Sequence, residues 1–242
     1  MSKPSHRRAV SILQEFRDLL DKKWKREVVC QCPRRPRCVC KRRIVCVARM
    51  EDWMETTAPE HTSTNLTRLL DDLYRMVSRT VFPFEATSVL KRQGRCVRVL
   101  GALLSLGRGD LIDLFHGAGI SDNVVLYNTK LVGHDQIGLL KYLEDNGVSN
   151  AMEIIDRFER EISVFCTPSL DMYMELNLEN WKEDRRMLPF CKRQRISKKG
   201  GTATVYQVAI QKDFVSDPEL ASALEKSAYK DHEFDEASRV RP

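Results

Sequence analysis

The chain has 242 residues, 42% of them hydrophobic and 31% charged, which is the balance of a globular protein with a buried core and not of a disordered one. Its longest apolar run, Val99 to Leu106, falls far short of the ~20 residues a membrane-crossing helix needs. The polar, basic start has no secretion-signal pattern. The expectation is an intracellular protein, cytoplasmic or nuclear, with reduced thiols and no membrane association. The sequon at Asn65 is then without meaning. The net charge of +6 is unevenly spread: residues 1–50 carry 15 basic and 4 acidic side chains, and the remainder carries 25 and 30. A basic arm is expected, not a basic domain.

In chain order, Ile12, Phe16, Leu19, Leu20 and Trp24 fall near one face of an amphipathic helix over 9–27. Pro33 and Pro36 end regular structure after it. Cys30, Cys32, Cys38 and Cys40, followed by Cys46, are the most chemically suggestive local pattern. Four thiolates within one short segment can close tetrahedrally around zinc, although Cys-x-Cys is tighter than the usual Cys-x-x-Cys knuckle. The alternative is an unstructured basic insertion. Arg34, Arg35, Arg37, Lys41, Arg42, Arg43 and Arg49 surround the cysteines. These cations suit weak, sequence-independent contact with nucleic acid phosphates or a nuclear-import signal, and no interleaved aromatic offers a stacking platform. Residues 51–64 lack periodicity and read as a linker, so 1–63 is taken as a basic, Cys-rich arm and linker.

A mainly helical domain is expected over 64–186. Leu66, Leu69, Leu70, Leu73, Tyr74 and Val77 form one helical stripe, with Ser63 or Thr64 as cap. Cys96 to Leu106 suits a central buried helix closed by Gly107. A short helical turn spans Asp110 to His116. Asp122 to Leu131 is expected to be extended, on the strength of Val124, Val125 and Tyr127. Helices are expected over 135–146 and 150–165. Further on, Val205 to Ile210 alternates as a strand. Two strands joined by a Gly200-Gly201 turn are the simplest account, before a helix that starts at Asp217-Pro218-Glu219 and runs to about Tyr229.

Ile196 to Val208 resembles the glycine-rich loop of protein kinases, and Leu188-Pro189-Phe190 looks like the lead-in found in a fungal family of kinase-like proteins. In that family a helical N-terminal region precedes a eukaryotic-type serine/threonine kinase domain. Leu103 to Ile112 is similar to the helical region of those proteins, and the resemblance covers roughly residues 95–215. It implies an α+β fold: the helical domain followed, over 187–242, by an incomplete kinase-like small lobe of a two-stranded hairpin plus a helix. It also implies binding of ATP with magnesium around Ile196, Gly200, Gly201, Ala203 and Val205. Gly200 would be the second loop glycine and Val205 the valine that packs on adenine, with Gly201 at a permissive position. Lys198 and Ala203 stand where the first and third glycines belong, and Thr202 replaces the aromatic. No third-strand lysine, catalytic-loop Asp and Asn, or metal-binding Asp follows Ile210, so the chain is expected to be catalytically incompetent, with no catalytic residues.

The competing reading is a non-catalytic helical adaptor with a protein partner, in which Gly200-Gly201 is a plain hairpin turn. His116 and His134 lack ligand-spaced partners. Cys96 and Cys166 read as inert core thiols, the setting of Cys191 is left open, and Glu144-Asp145 and Glu183-Asp184 read as solvated helix charges.

Overall fold

The longest apolar run becomes the axis of the molecule. In a computed structural model, which describes residues 11–28, 42–75, 85–92, 94–127, 131, 133–171, 188–195 and 206–227, Val97–Ser105 is a helix whose Val97, Val99, Leu100, Ala102, Leu103 and Leu104 are all buried. A helix apolar on every side has to be surrounded. This one is packed by helices before and after it in the chain. Gly107, at φ +72°, ends it: Gly107 N–H donates to Leu104 and Arg108 N–H to Leu103, the paired bonds of a Schellman cap, whose left-handed residue costs glycine little.

The elements run as follows. Helix α1 (Ile12–Leu19) passes into a π-helical turn, Leu20–Trp24, and then into strand β1 (Lys25–Val28), which pairs antiparallel with β2 (Arg42–Val45). Helices α2 (Val47–Glu55), α3 (Asn65–Arg75) and α4 (Ala86–Leu90) precede the central helix, α5 (Val97–Ser105). A 3-10 turn (Gly109–Leu111), α6 (Ile112–Gly117), α7 (Asp122–Tyr127), α8 (His134–Asp145) and α9 (Ala151–Phe165) complete the helical body. Strands β3 (Phe190–Arg195) and β4 (Tyr206–Ile210) form a second antiparallel pair, followed by a 3-10 turn (Lys212–Phe214) and α10 (Pro218–Ser227). The fold is α+β, mainly helical, with two two-stranded antiparallel sheets among the described residues.

Several expectations hold. Thr64 caps α3, its Oγ1 accepting from Thr67 N–H at 3.3 Å. Asp217 caps α10, with Oδ1 accepting from Glu219 N–H at 2.7 Å and Leu220 N–H at 3.1 Å.

Three expectations are corrected. The helix expected over 9–27 stops at Trp24, because the π-turn still places Leu20 and Trp24 beside Phe16 while Lys25–Val28 leaves as a strand. The linker expected over 51–64 is in its first part the helix α2, whose Val47, Met50 and Met54 are buried; its acidic Glu51, Asp52 and Glu55 mask the stripe in the sequence. Within the expected arm, α1, the π-turn and the buried side of α2 therefore pack in the main core, with Phe16, Trp24 and Trp53 in ring contact at centroid separations of 5.4–5.8 Å. Asp122–Tyr127, expected to be extended, is helical. Val125 is buried in the core, and tertiary packing outweighs the β preference of its branched neighbours. Asn65 of the sequon is 4% exposed, its Nδ2 donating to the Trp53 carbonyl and its Oδ1 accepting from Arg68, so the folded chain buries that amide.

Gly101 marks the closest approach in the core. A Cβ there would lie 2.8 Å from the Phe165 ring and 2.9 Å from the Met50 methyl. Gly101→Ala is therefore expected to destabilise the fold by about 1–2 kcal/mol, although alanine alone would favour the helix by about 1 kcal/mol. Urea denaturation checks this, and a stabilised variant would show that Met50 and Phe165 yield freely.

Candidate functional site

Two polar constellations stand out, both built by residues far apart in sequence. The first lies at the start of α5. Cys96, its N-cap residue, supplies no capping side chain, so the first N–H groups of the helix need an acceptor from elsewhere. Asp122, at the start of α7, provides it: Oδ1 accepts from Arg98 N–H at 2.8 Å and Val99 N–H at 3.2 Å, while Asp122 N–H donates to the Arg95 carbonyl at 2.7 Å. Oδ2 lies 3.6 Å from Arg95 Nε, and the Arg95 guanidinium reaches on to pair with Glu51 of α2. Asp122 is 3% exposed. Burial lifts its carboxyl to about 6, against the pull of the Arg98 charge, the two backbone N–H groups and the Arg95 charge. The cluster ties α2, α5 and α7 together.

The second constellation fastens the C-terminal hairpin to the N-terminal one. Asp213, in the turn after β4, accepts from Arg49 Nη2 at 2.6 Å and Arg26 Nη2 at 3.4 Å. Next to it Phe214 is buried with Val28, Ile44 and Cys46 in a cluster separate from the main core. Gln211 Nε2 donates to the Glu27 carbonyl at 3.2 Å. From the other side, Leu170 N–H donates to the Phe214 carbonyl at 2.7 Å and Ser216 N–H to the Leu170 carbonyl at 3.1 Å. Arg26 is only 10% exposed in its side chain, so this is a largely desolvated ion pair and not a surface one.

The thiols in these regions are held protonated. Burial, then the Asp122 charge, pushes Cys96 up to about 12, and burial raises Cys46, whose Sγ lies 3.8 Å from the Asp213 carbonyl oxygen. Neither has the electropositive, open setting of a reactive cysteine. Cys166 is fully buried, with Sγ 3.5 Å from the Val125 carbonyl, and Cys191 is half-buried, with Sγ 3.3 Å from the Ala209 carbonyl.

No family model matches the chain. No curated protein and no solved structure matches it either.

The residues expected to contact nucleotide, Ile196, Gly200, Gly201, Ala203 and Val205, lie outside the described residues, as do Lys198 and Thr202. So do the expected zinc ligands Cys30, Cys32, Cys38 and Cys40, most of their basic neighbours, and Glu183-Asp184. Arg42 and Arg43 are exposed at the start of β2. Among the described residues, no group of three His, Cys, Asp or Glu side chains is placed to hold a metal ion, and no helix is long and apolar enough to cross a membrane. His116 is half-buried beside Gly94. His134 is exposed, with Nε2 3.0 Å from Asp135, and Glu144 and Asp145 are solvated as expected.

Sequence reasoning missed Asp122, Arg95 and Glu51, and also Arg26 and Asp213. One signal was available for the first set: a long apolar helix preceded by a cysteine has no cap of its own and must borrow an acceptor. The second set carries no local signal, since Arg26 and Asp213 are paired across most of the chain.

Proposed function

We propose that this chain is a non-catalytic interaction protein, in which the helical body and the clamped C-terminal hairpin form one platform for a protein partner. The supporting observation is the path of the chain after β4. A kinase small lobe needs a third strand there, bearing the lysine that holds the nucleotide phosphates. Here Ile210 leads directly into the Lys212–Phe214 turn, which is committed to packing on β1 and β2, and then into α10. Among the described residues β3 and β4 form a sheet of two strands. The outward face of the body is consistent with docking. Helix α8 buries only Leu139 and Leu143 and leaves Ile137 68% exposed, beside an open Gly138.

One observation bears on a second reading, a kinase-like nucleotide site. Strands β3 and β4 do flank the glycine segment, and the midpoint of their register, set by Arg193 opposite Val208 and Arg195 opposite Tyr206, falls between Gly200 and Gly201. Antiparallel strands on either side of paired glycines are what a phosphate-cradling loop requires, and equally what a tight hairpin requires. Calorimetric titration of the full chain with ATP and magnesium separates the two. No saturable heat, with Gly200→Val indistinguishable from the parent, is the expected outcome. Magnesium-dependent binding abolished by Gly200→Val would replace the interaction reading with the kinase-like one.

A further inference from the structure

The segment after β4 is fastened at few points. Among the described side chains from 208 to 226, only Phe214 is buried. No described side chain of α10 is buried, and Lys212 pairs with Glu225 in solvent. The residues that Phe214 covers, Val28, Ile44 and Cys46, lie apart from the main core, with Val164 of α9 packed at their edge. Lifting the segment away therefore uncovers one small apolar face and leaves the main core closed.

That face is prepared without its cover. Arg26 Nη1 donates to the Lys23 carbonyl and, at 3.2 Å, to the Lys25 carbonyl, so the backbone of the π-turn and β1 holds the guanidinium in place. Its Nη2 is left for Asp213. Arg49 stands on the first turn of α2, a helix anchored in the main core through Val47, Met50 and Met54. The two oxygens of Asp213 are divided between these cations, Oδ1 going to Arg49 and Oδ2 to Arg26. Next to that clasp the Phe214 ring fills the apolar face, and the Gln211 side chain adds an exposed bond to the Glu27 carbonyl. The bonds to Leu170 are made by main chain alone: Leu170 N–H donates to the Phe214 carbonyl and Ser216 N–H to the Leu170 carbonyl, with Val215 extended between them. Any extended peptide can make those two bonds, so selectivity falls to the carboxylate and the ring.

We propose that this face is a docking site for a protein segment in which an acidic residue is directly followed by phenylalanine, and that Asp213-Phe214 is the chain's own occupant of it. The proposal rests on the interaction reading above and names the chemistry of its partner. Two cations, one of them largely desolvated, share a single carboxylate, so the uncovered face carries unbalanced positive charge and calls for an anion. The three apolar residues beside them call for a ring. The tethered Asp213-Phe214 competes at an effective concentration in the millimolar range or above, which keeps the site closed to weak ligands. A partner with further contacts, or any event that loosens the clamp, opens it.

The probe is a fluorescent peptide of residues 211–217, Gln-Lys-Asp-Phe-Val-Ser-Asp, added to the full chain. An Asp213→Ala/Phe214→Ala double variant, which leaves the face empty, is expected to bind it about tenfold or more tightly than the parent chain does. Peptides carrying Asp213→Asn or Phe214→Ala, and the double variant carrying Arg49→Ala as well, are each expected to lose about tenfold in affinity. In the parent chain, millimolar peptide is expected to accelerate hydrogen exchange over 206–217 while β1 and β2 stay protected. Failure of the double variant to bind the peptide, with α5 still protected from exchange, overturns the proposal. Should the double variant lose protection in α5, unchanged exchange over 206–217 in the peptide-treated parent overturns it instead. Equal binding of the three peptides overturns it too. So does a parent that elutes as a dimer and becomes a monomer in the double variant, which would give the face to a second copy. Nucleotide binding decides the reading of the platform and peptide binding decides this face, so the two fail separately.

Discussion

Replacing Asp122 with alanine is expected to lower stability at pH 7 by about 3 kcal/mol, because it strips the acceptor from two N–H groups in the first turn of α5, that of Val99 buried, and leaves the Arg95 guanidinium with Glu51 alone. Asp122→Asn is expected to behave differently. It keeps an oxygen for Arg98 and Val99 N–H but cannot ionise, so it should lie within about 1 kcal/mol of the parent near pH 4 and stand above it at pH 7. The contrast sharpens with pH. Burial lifts the folded carboxyl to about 6, whereas in the unfolded chain it titrates near 3.8. Between those values the folded state holds a proton that the unfolded state has released. The stability this group contributes is therefore fully present below about 3.8 and is lost as pH rises through about 6. The gap corresponds to on the order of 3 kcal/mol. Measured by urea denaturation in steps from pH 4 to pH 8, the parent should lose stability relative to Asp122→Asn as pH rises. A flat difference between the two would mean that the carboxyl is not desolvated as its burial indicates.

The second large effect concerns the clamp. Phe214→Ala empties the centre of a small cluster whose other members are Val28, Ile44 and Cys46, and it is expected to cost about 3 kcal/mol. Because that cluster is separate from the main core, the loss is expected to appear as local opening and not as global unfolding. Hydrogen exchange should accelerate in β1, β2 and residues 206–217, with α5 and α9 still protected. Cys46, buried beneath the clamp, should then react with a thiol reagent much faster than in the parent, while Cys96 stays inert. If Cys46 labelling is unchanged, the clamp does not cover it. If α5 loses protection together with β1, the hairpin and the body unfold as one unit.

How much of this could be read from the sequence depends on the distance over which each feature is determined. Helices α3, α5, α9 and α10 were legible because their stripes and caps are local: Thr64 and Asp217 cap the helices that follow them directly, and Gly107 closes the helix before it. Helix α2 was hidden because three of its nine residues are acidic and its buried set is two methionines and a valine. Helix α7 was misread because Val124 and Val125 favour strands in isolation, whereas Asp122 is held at its start by the Arg95 carbonyl and by two N–H groups of α5. The hairpin and its pairing were legible from alternation around the glycines, but its docking was not. Nothing near Asp213 announces Arg26 or Arg49, which are supplied by a segment that had read as a detached basic arm.

That docking has a consequence for the order in which the protein matures on the ribosome. Val28, Ile44 and Cys46 are made early, and the side chain that covers them, Phe214, is made last of the four. At synthesis rates of about 5–20 residues per second, the apolar face of the first hairpin waits on the order of ten seconds or more for its lid, while the helices between are already collapsing. During that interval the nascent chain exposes a strand pair with an uncovered face, the kind of surface to which chaperones bind and from which misassembly starts.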